Sequence, residues 1–268
     1  QIEEKKADSK AEAERLLSLL SARVDTLKRL AGFLNEGRLS RKDLTSAEVL
    51  VSEAKSNIGK GKYGDAMGRL NKASTYTVFA TESLLPILSR FSDRSQITKW
   101  RLWADEAISE SEATGGYSIL VSKIDRRLLL YKGGRVFREY EAGIGFNGSK
   151  DKLYAGDKAT PEGRYKVVKK KSRSRFYKAL LINYPNDDDR AQFAAAKRKG
   201  LIPKHSGIGG LIEIHGGGND GMTYGCVGLD NNRMEELYNL VDVGTPVTIV
   251  GALEFHNGIY EAVKGLQD

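Results

Sequence analysis

The sequence predicts an α+β protein of two parts, an N-terminal α-helical bundle over residues 1–114 and a mostly β domain over 115–255, with a tail over 256–268. Three observations carry this reading. Apolar residues recur at helical spacing as far as Ala113 and alternate with polar ones beyond it, a change of period from about 3.6 to about 2. The stretch Ala113-Thr114-Gly115-Gly116 marks the change with turn-forming residues. The chain's single cysteine, Cys226, shares a glycine-rich stretch of the second part, Leu211–Asn232, with His215, one of its 3 histidines.

The first helix is expected from Gln1 to about Asn35, where Leu16, Leu17, Leu20, Val24, Leu27 and Leu30 fall on one face. The pattern breaks over Gly32–Arg38. A second helix is expected over Thr45–Asn57, opened by Thr45 or Ser46 with Glu48 placed as in a capping box. After the turn Gly59-Lys60-Gly61-Lys62, a third helix spans Tyr63–Arg90 and a fourth Ser95–Ala113. Tyr63–Ala73 reads like half a tetratricopeptide unit but has no companion at the ~34-residue period that architecture needs, so a bundle is preferred. This half contains no histidine or cysteine, and its polar residues read as solvated faces.

Strands follow at Tyr117–Val121 and Leu128–Tyr131, with a turn through Lys132-Gly133-Gly134-Arg135, then at Val136–Gly143 and Gly163–Lys169. Pro161 and Gly163 give Thr160–Gly163 turn chemistry. The basic run Lys169–Arg175 reads as a solvated strand end, or as an attractor of carboxylates. Ala179–Tyr184 is an apolar strand, and Asp187, Asp188 and Asp189 open a helix that runs to about Lys199. These aspartates suit a helix N-terminus and lack the ligand spacing of a calcium loop. Gly207–Gly210 precede a strand instead of following one, which excludes a dinucleotide fingerprint. Beyond Cys226, Asn232 and Glu235 are placed as a capping box for a helix whose apolar face is Met234, Leu237, Leu240 and Val241. Val247–Val250 closes the sheet.

At 268 residues, with 40% hydrophobic and 29% charged residues, the chain is an ordinary globular one. No apolar run approaches the ~20 residues that cross a bilayer. A chain that starts at Gln1 reads as a mature or trimmed form, so the lack of a signal peptide says nothing about export. One cysteine excludes intrachain disulfides and cysteine-cluster metal sites, and suits a thiol enzyme in an oxidising compartment. The net charge of +8 points to anionic partners. No nucleic-acid motif is present and the cations are spread over both halves, so nucleic acid is set aside.

In Leu211–Asn232 a short strand places Ile212 and Ile214 on one face and Glu213 and His215 on the other. The chain turns through Gly216, Gly217 and Gly218 and returns to Gly225-Cys226-Val227, so that an imidazole faces a thiol across a hairpin-like loop. A thiol is a poor nucleophile until a base or positive field lowers its pKa, and a histidine supplies that base. N–H groups around Tyr224, Gly225 and Cys226 are placed to hold an oxyanion. The plainer reading makes Cys226 a small buried apolar residue and His215 a satisfied strand-end histidine.

The order strand, His215-Gly216, loop, Thr223-Tyr224-Gly225-Cys226, apolar residue, x, Leu229 resembles the catalytic signature of the L,D-transpeptidases, bacterial cysteine enzymes that remodel peptidoglycan. Tyr117–Gly145, Gly156–Tyr165 and Val243–Val250 resemble the opening strands, substrate-side turn and closing strand of that domain, in the same order. Two positions depart from the commoner pattern. Tyr224 stands where a histidine is usual and Gly228 where an arginine is usual, and the loop from His215 to Cys226 is shorter.

The resemblance implies a small β-sandwich or barrel-like sheet and acyl transfer on peptidoglycan stem peptides. Cys226 is then the nucleophile, His215 the base and later acid, and the Gly216 carbonyl the group that orients the imidazole, with Gly225 and Tyr224 at the oxyanion. Thr223, Tyr184, Arg190 and His205 are the candidate substrate-side residues. No metal or organic cofactor is expected. The expected setting is the periplasm or another extracytoplasmic part of a bacterial envelope. The helical half would serve as an interaction surface for a wall-anchored protein or another cell-wall enzyme, as a spacer, or as a cover for the catalytic cleft. The rival readings are an L,D-carboxypeptidase or other hydrolase that trims wall-linked groups, a non-catalytic wall-binding scaffold, and a metal site of His205, His215 and Cys226 that lacks a fourth ligand.

Overall fold

The computed structural model describes residues 2–33, 38–220 and 223–267. Contacts divide the chain into two units, Gln1–Ser92 with Gly258–Asp268, and Asp93–Asn257. The expected boundary at residue 114 therefore falls near residue 92, and the expected tail belongs to the helical unit.

In the helical unit, α1 (Ile2–Gly32), α2 (Arg38–Gly59) and α3 (Tyr63–Leu88) pack on one another. The break expected over Gly32–Arg38 falls mostly on 34–37, and these residues, with Asn35 as the expected end of α1, lie outside the described residues. Leu20, Ala54, Ala66, Leu70 and Ala73 form one cluster of the core, and three alanines in it let the backbones approach closely. Burial of Leu70, fully shielded, stabilises by roughly 1.5–3 kcal/mol. A surface pair such as Lys28–Glu48 at 2.7 Å adds about 0–1 kcal/mol, so packing decides this unit.

The helix α2 starts before Thr45. Its hydroxyl donates to the Arg41 carbonyl inside the helix at 2.8 Å, and Glu48 turns to Lys28, so the expected capping box does not form. The strong helix formers from Arg38 onward, with Leu44 buried, carry the helix past that signal. The segment expected as a tail forms α7 (Gly258–Gln267), because Ile259, Val263 and Leu266 fall on one face and bury against the same unit.

The second unit opens with α4 (Arg94–Thr114), capped by Asp93, whose side chain accepts from Gln96 N, and ended by Gly115 at φ 65°. The sequence places this helix in the bundle, but it packs on the sheet. The reason is Trp100, fully buried. Its ring lies over Gly251, where a Cβ would stand 2.3 Å from it, and its Nε1 donates to Glu162 at 3.0 Å.

Eight strands form one sheet in the order β3-β2-β1-β8-β4-β5-β6-β7. They are β1 (Tyr117–Ser122), β2 (Arg127–Lys132), β3 (Arg135–Glu141), β4 (Gly163–Ser174), β5 (Tyr177–Ile182), β6 (Glu213–His215), β7 (Val227–Gly228) and β8 (Pro246–Val250). The long strand β4 pairs β8 with its first residues and β5 with the rest, across bulges at Val167–Lys169 and Lys171–Ser174. Beyond β3, Gly143 exchanges two hydrogen bonds with Gly228 of β7, at 2.8 and 2.9 Å. That exchange ties the two sheet edges together, giving the barrel-like closure expected. Ile119, Val121, Val167, Leu180, Ile214, Val227 and Ile249 are among the residues that fill the interior.

Two further helices belong to this unit. In α5 (Asp187–Arg198), Asn186 and Asp189 make a reciprocal capping box, in line with the reading of the aspartates as a helix start. The helix α6 (Asn231–Leu240) begins at Asp230, and no capping box of Asn232 and Glu235 forms. Glu235 is drawn away by Lys178, 2.6 Å distant. No described helix is long and apolar enough to cross a membrane.

Candidate active site

The strand β6 lies between β5, antiparallel with Ala179 opposite His215, and β7, parallel with His215 opposite Gly228. The expected hairpin is thus absent. After β6 the chain doubles back through Gly217 and Gly218, both at positive φ, so that β7 runs alongside in the same direction. Gly218 N donates to the Leu229 carbonyl and Leu229 N to that of His215. Gly221 and Met222 of this loop lie outside the described residues.

His215 is buried, at 5% exposure. Its Nδ1 lies 2.6 Å from the carbonyl oxygen of Gly216. A carbonyl oxygen only accepts, so Nδ1 carries the proton and the lone pair is at Nε2. The Phe176 ring stacks on the imidazole at 4.5 Å and 24°. Gly216 has no space for a side chain, since a Cβ would meet Asn231 Oδ1 at 2.7 Å and the Phe176 carbonyl at 3.0 Å. Asn231 also accepts from Gly217 N at 2.8 Å, so the first residue of α6 holds the turn that orients the histidine.

Cys226 immediately precedes β7 and is partly exposed. Because Val227 pairs with Ile214 and Gly228 with His215, alternation places Cys226 on the face that carries Glu213 and His215. Diagonal neighbours in a sheet stand about 7–8 Å apart at the backbone, within reach of their side chains. The Sγ donates weakly to the Leu211 carbonyl at 3.8 Å. Burial pushes the Cys226 thiol above its ordinary pKa, opposed by a bond from the Glu213 N–H. The Glu213 carboxylate adds to the rise, and the Lys152 and Lys171 ammonium groups counter it. Burial thus favours the protonated form, and a base would be the counterweight that makes such a thiol nucleophilic.

Each of these lysines is closed by a carboxylate. Lys152 binds Asp157 at 2.7 Å and the Tyr154 carbonyl at 3.1 Å, and Lys171 of β4 pairs with Glu213. Lys171 and Lys170, which donates to the Val241 carbonyl at 2.6 Å, correct the reading of Lys169–Arg175 as a merely solvated strand end. Glu213 is legible in the strand pattern, but its partner on β4 is reached across β5 and depends on the order of the strands. Phe176, Asn231 and the pair Lys123–Glu162 escaped the sequence reading for the same reason.

The turn before the thiol is built by glycines and Thr223. Gly225 sits at φ 125°, and a Cβ there would lie 2.5 Å from the Ala159 carbonyl. Gly145 is equally confined, 2.3 Å from the Lys158 carbonyl and 2.9 Å from Gly225 Cα by the same measure. The Thr223 hydroxyl donates to the Cys226 carbonyl at 2.8 Å and accepts from Gly225 N at 3.3 Å. Thr223 is therefore a turn-forming residue, and the Gly225 N–H is engaged by it. Tyr224 is 73% exposed.

The other expected substrate-side residues are scattered. Tyr184 belongs to the core, its ring edge-on to Tyr165 at 6.2 Å and its hydroxyl donating to the Ile208 carbonyl at 3.3 Å. That burial removes it from the open surface a substrate would touch. Arg190 is exposed on α5 and His205 is exposed in a turn of the following loop; neither bonds to Cys226 or His215. Among the described residues no group of three or more His, Cys, Asp or Glu is arranged to hold a metal.

The family model of the L,D-transpeptidase catalytic domain, YkuD, matches residues 116–249. YafK of Escherichia coli K12, provisionally named an L,D-transpeptidase, is 32% identical over 105 residues. That match covers 38% of this chain and 34% of YafK, so the chain spans about a third of the length of this curated relative. Among solved structures, Bd1075 of Bdellovibrio bacteriovorus is 24% identical with a TM-score of 0.40, over 59% of this chain and 56% of that one. L,D-transpeptidase 1 of Mycobacterium tuberculosis is 15% identical with a TM-score of 0.34, over 51% and 62%.

Proposed function

The chain belongs to the L,D-transpeptidase (YkuD) family, and from that premise we propose that it catalyses cysteine-dependent acyl transfer on peptidoglycan stem peptides. One observation carries the mechanism. The bond between Nδ1 of His215 and the Gly216 carbonyl leaves Nε2 as the basic atom, on the face that Cys226 shares.

In this reading Nε2 takes the thiol proton as Sγ attacks the carbonyl at the L-centre of the third stem residue. The oxyanion is met by the N–H groups of Tyr224 and Cys226, since that of Gly225 is held by Thr223. Collapse expels the terminal D-alanine, whose nitrogen takes the proton back from His215, and leaves a thioester on Cys226. An acceptor amine then attacks the thioester, Nε2 removes its proton, and an amide forms. The setting proposed is the bacterial envelope, with the helical unit as the surface for a wall-anchored protein or another wall enzyme. With water as acceptor the same site is an L,D-carboxypeptidase.

Incubation of the protein with tetrapeptide muropeptides, followed by mass spectrometry, tests the reading. Loss of D-alanine and a thioester adduct on Cys226 are expected, both abolished by Cys226→Ala. Full activity in Cys226→Ala would exclude the mechanism, and the product mass separates transfer from hydrolysis.

A further inference from the structure

We propose that Lys158, held against the rings of Phe146 and Tyr224, is the group that receives a carboxylate of the acyl donor. This rests on the reading of Cys226 as the acylated nucleophile.

The ammonium of Lys158 lies 5.2 Å from the centroid of the Tyr224 ring and 5.5 Å from that of Phe146. Tyr224 is two residues before the thiol and exposed, so this cation lies over a ring carried by the turn of Cys226. Its backbone is fixed on both sides. The Lys158 carbonyl accepts from Asn147 N at 2.9 Å. The neighbouring Asp157 carboxylate accepts from the N–H groups of Leu153, Tyr154 and Ala159 at 2.7–3.0 Å. Lys158 itself is at φ 58°, a conformation rare for a side-chain-bearing residue. The close approach of Gly145 to Gly225 binds the loop of Lys158 to the turn of Cys226.

The lysines whose charge acts on the thiol are satisfied, Lys152 by Asp157 and Lys171 by Glu213. Among the described residues Lys158 pairs with no carboxylate. A cation over ring faces keeps its N–H donors for a ligand, and its stem is already partly ordered. An anion arriving there gains a charge-assisted bond without displacing an internal partner. A stem peptide ending in D-alanine offers two such anions, its terminal carboxylate and, where the third residue is a diamino diacid, a side-chain carboxylate.

The test compares wild type, Lys158→Met and Lys158→Arg in two assays. In the first, Cys226 is alkylated with anionic iodoacetate and with neutral iodoacetamide. The ratio of the two rates is expected to fall about fivefold in Lys158→Met, as loss of one charge near 4 Å in water implies. Lys158→Arg should keep it, and high salt should flatten it in wild type. An equal ratio in wild type and Lys158→Met would overturn the proposal.

The second assay uses tetrapeptide donors with the terminal carboxylate, or the side-chain carboxylate, blocked as amide. In Lys158→Met, kcat/KM should fall more for the donor bearing the recognised carboxylate than for its amide, which identifies the anion. Equal losses for all donors would also overturn it. If wild type turns over no muropeptide while the alkylation ratio still depends on Lys158, the anion site stands and the peptidoglycan reading fails.

Discussion

Lys171 of β4 closes an ion pair on Glu213 of β6, two residues before His215 and on the face that carries Cys226. The arrangement puts a carboxylate on the same face as the Cys226 thiol and offsets its field in place. Lys171→Met removes the cation and leaves the carboxylate, so the thiol pKa should rise and the alkylation profile should move to higher pH, because thiolate is the reacting form. Lys171→Met with Glu213→Gln should return the profile toward wild type. Glu213 is buried and Lys171 only partly exposed, so the single variant should also lose roughly 1–3 kcal/mol, between the values for exposed and buried pairs.

His215→Ala should remain folded and lose about 10²–10⁴-fold in the rate of acyl-enzyme formation, the usual contribution of a general base. Gly216→Ala tests the orientation separately. Its Cβ would press on Asn231 Oδ1 and the Phe176 carbonyl, so acylation should fall while the imidazole is still present. A wild-type rate in Gly216→Ala would show that the His215–Gly216 contact does not matter to the reaction.

Thr223→Val removes a hydroxyl that donates to the Cys226 carbonyl and accepts from Gly225 N. A loss of about 1 kcal/mol in stability is expected for the hydrogen bonds, together with a lower kcat. Thr223→Ser should restore both. A change confined to KM would instead make Thr223 a substrate contact.

The Lys123 ammonium is fully buried and donates to the carbonyls of Lys150 and Thr160 and to Glu162, at 2.6–2.8 Å. Lys123→Met would strand the Glu162 carboxylate, at a cost of about 3–5 kcal/mol. Both tryptophans, Trp100 and Trp103, lie in α4 and so in the sheet unit. Their fluorescence should report earlier thermal unfolding of that unit, by roughly 6–20 °C. An unchanged fluorescence midpoint would count against the node as a stabilising element.

Much of this protein follows from short-range pattern. The helical repeat of Leu20, Val24, Leu27 and Leu30, the alternation after Gly116 and the pair His215-Gly216 with Gly225-Cys226 are visible along the chain, because helix and strand periods and turn chemistry act over a few residues. What lies between strands is not written locally. Pairing order brings Lys171 to Glu213 and makes β6 and β7 parallel where a hairpin was expected. Docking of Trp100 on Gly251 moves α4 from the bundle to the sheet, and the apolar face of Ile259, Val263 and Leu266 turns a tail into a helix. Sequence alone thus determined the periods and the reactive residue types, while tertiary packing decided which charges meet the thiol, since ion pairs and buried contacts join residues far apart in the chain.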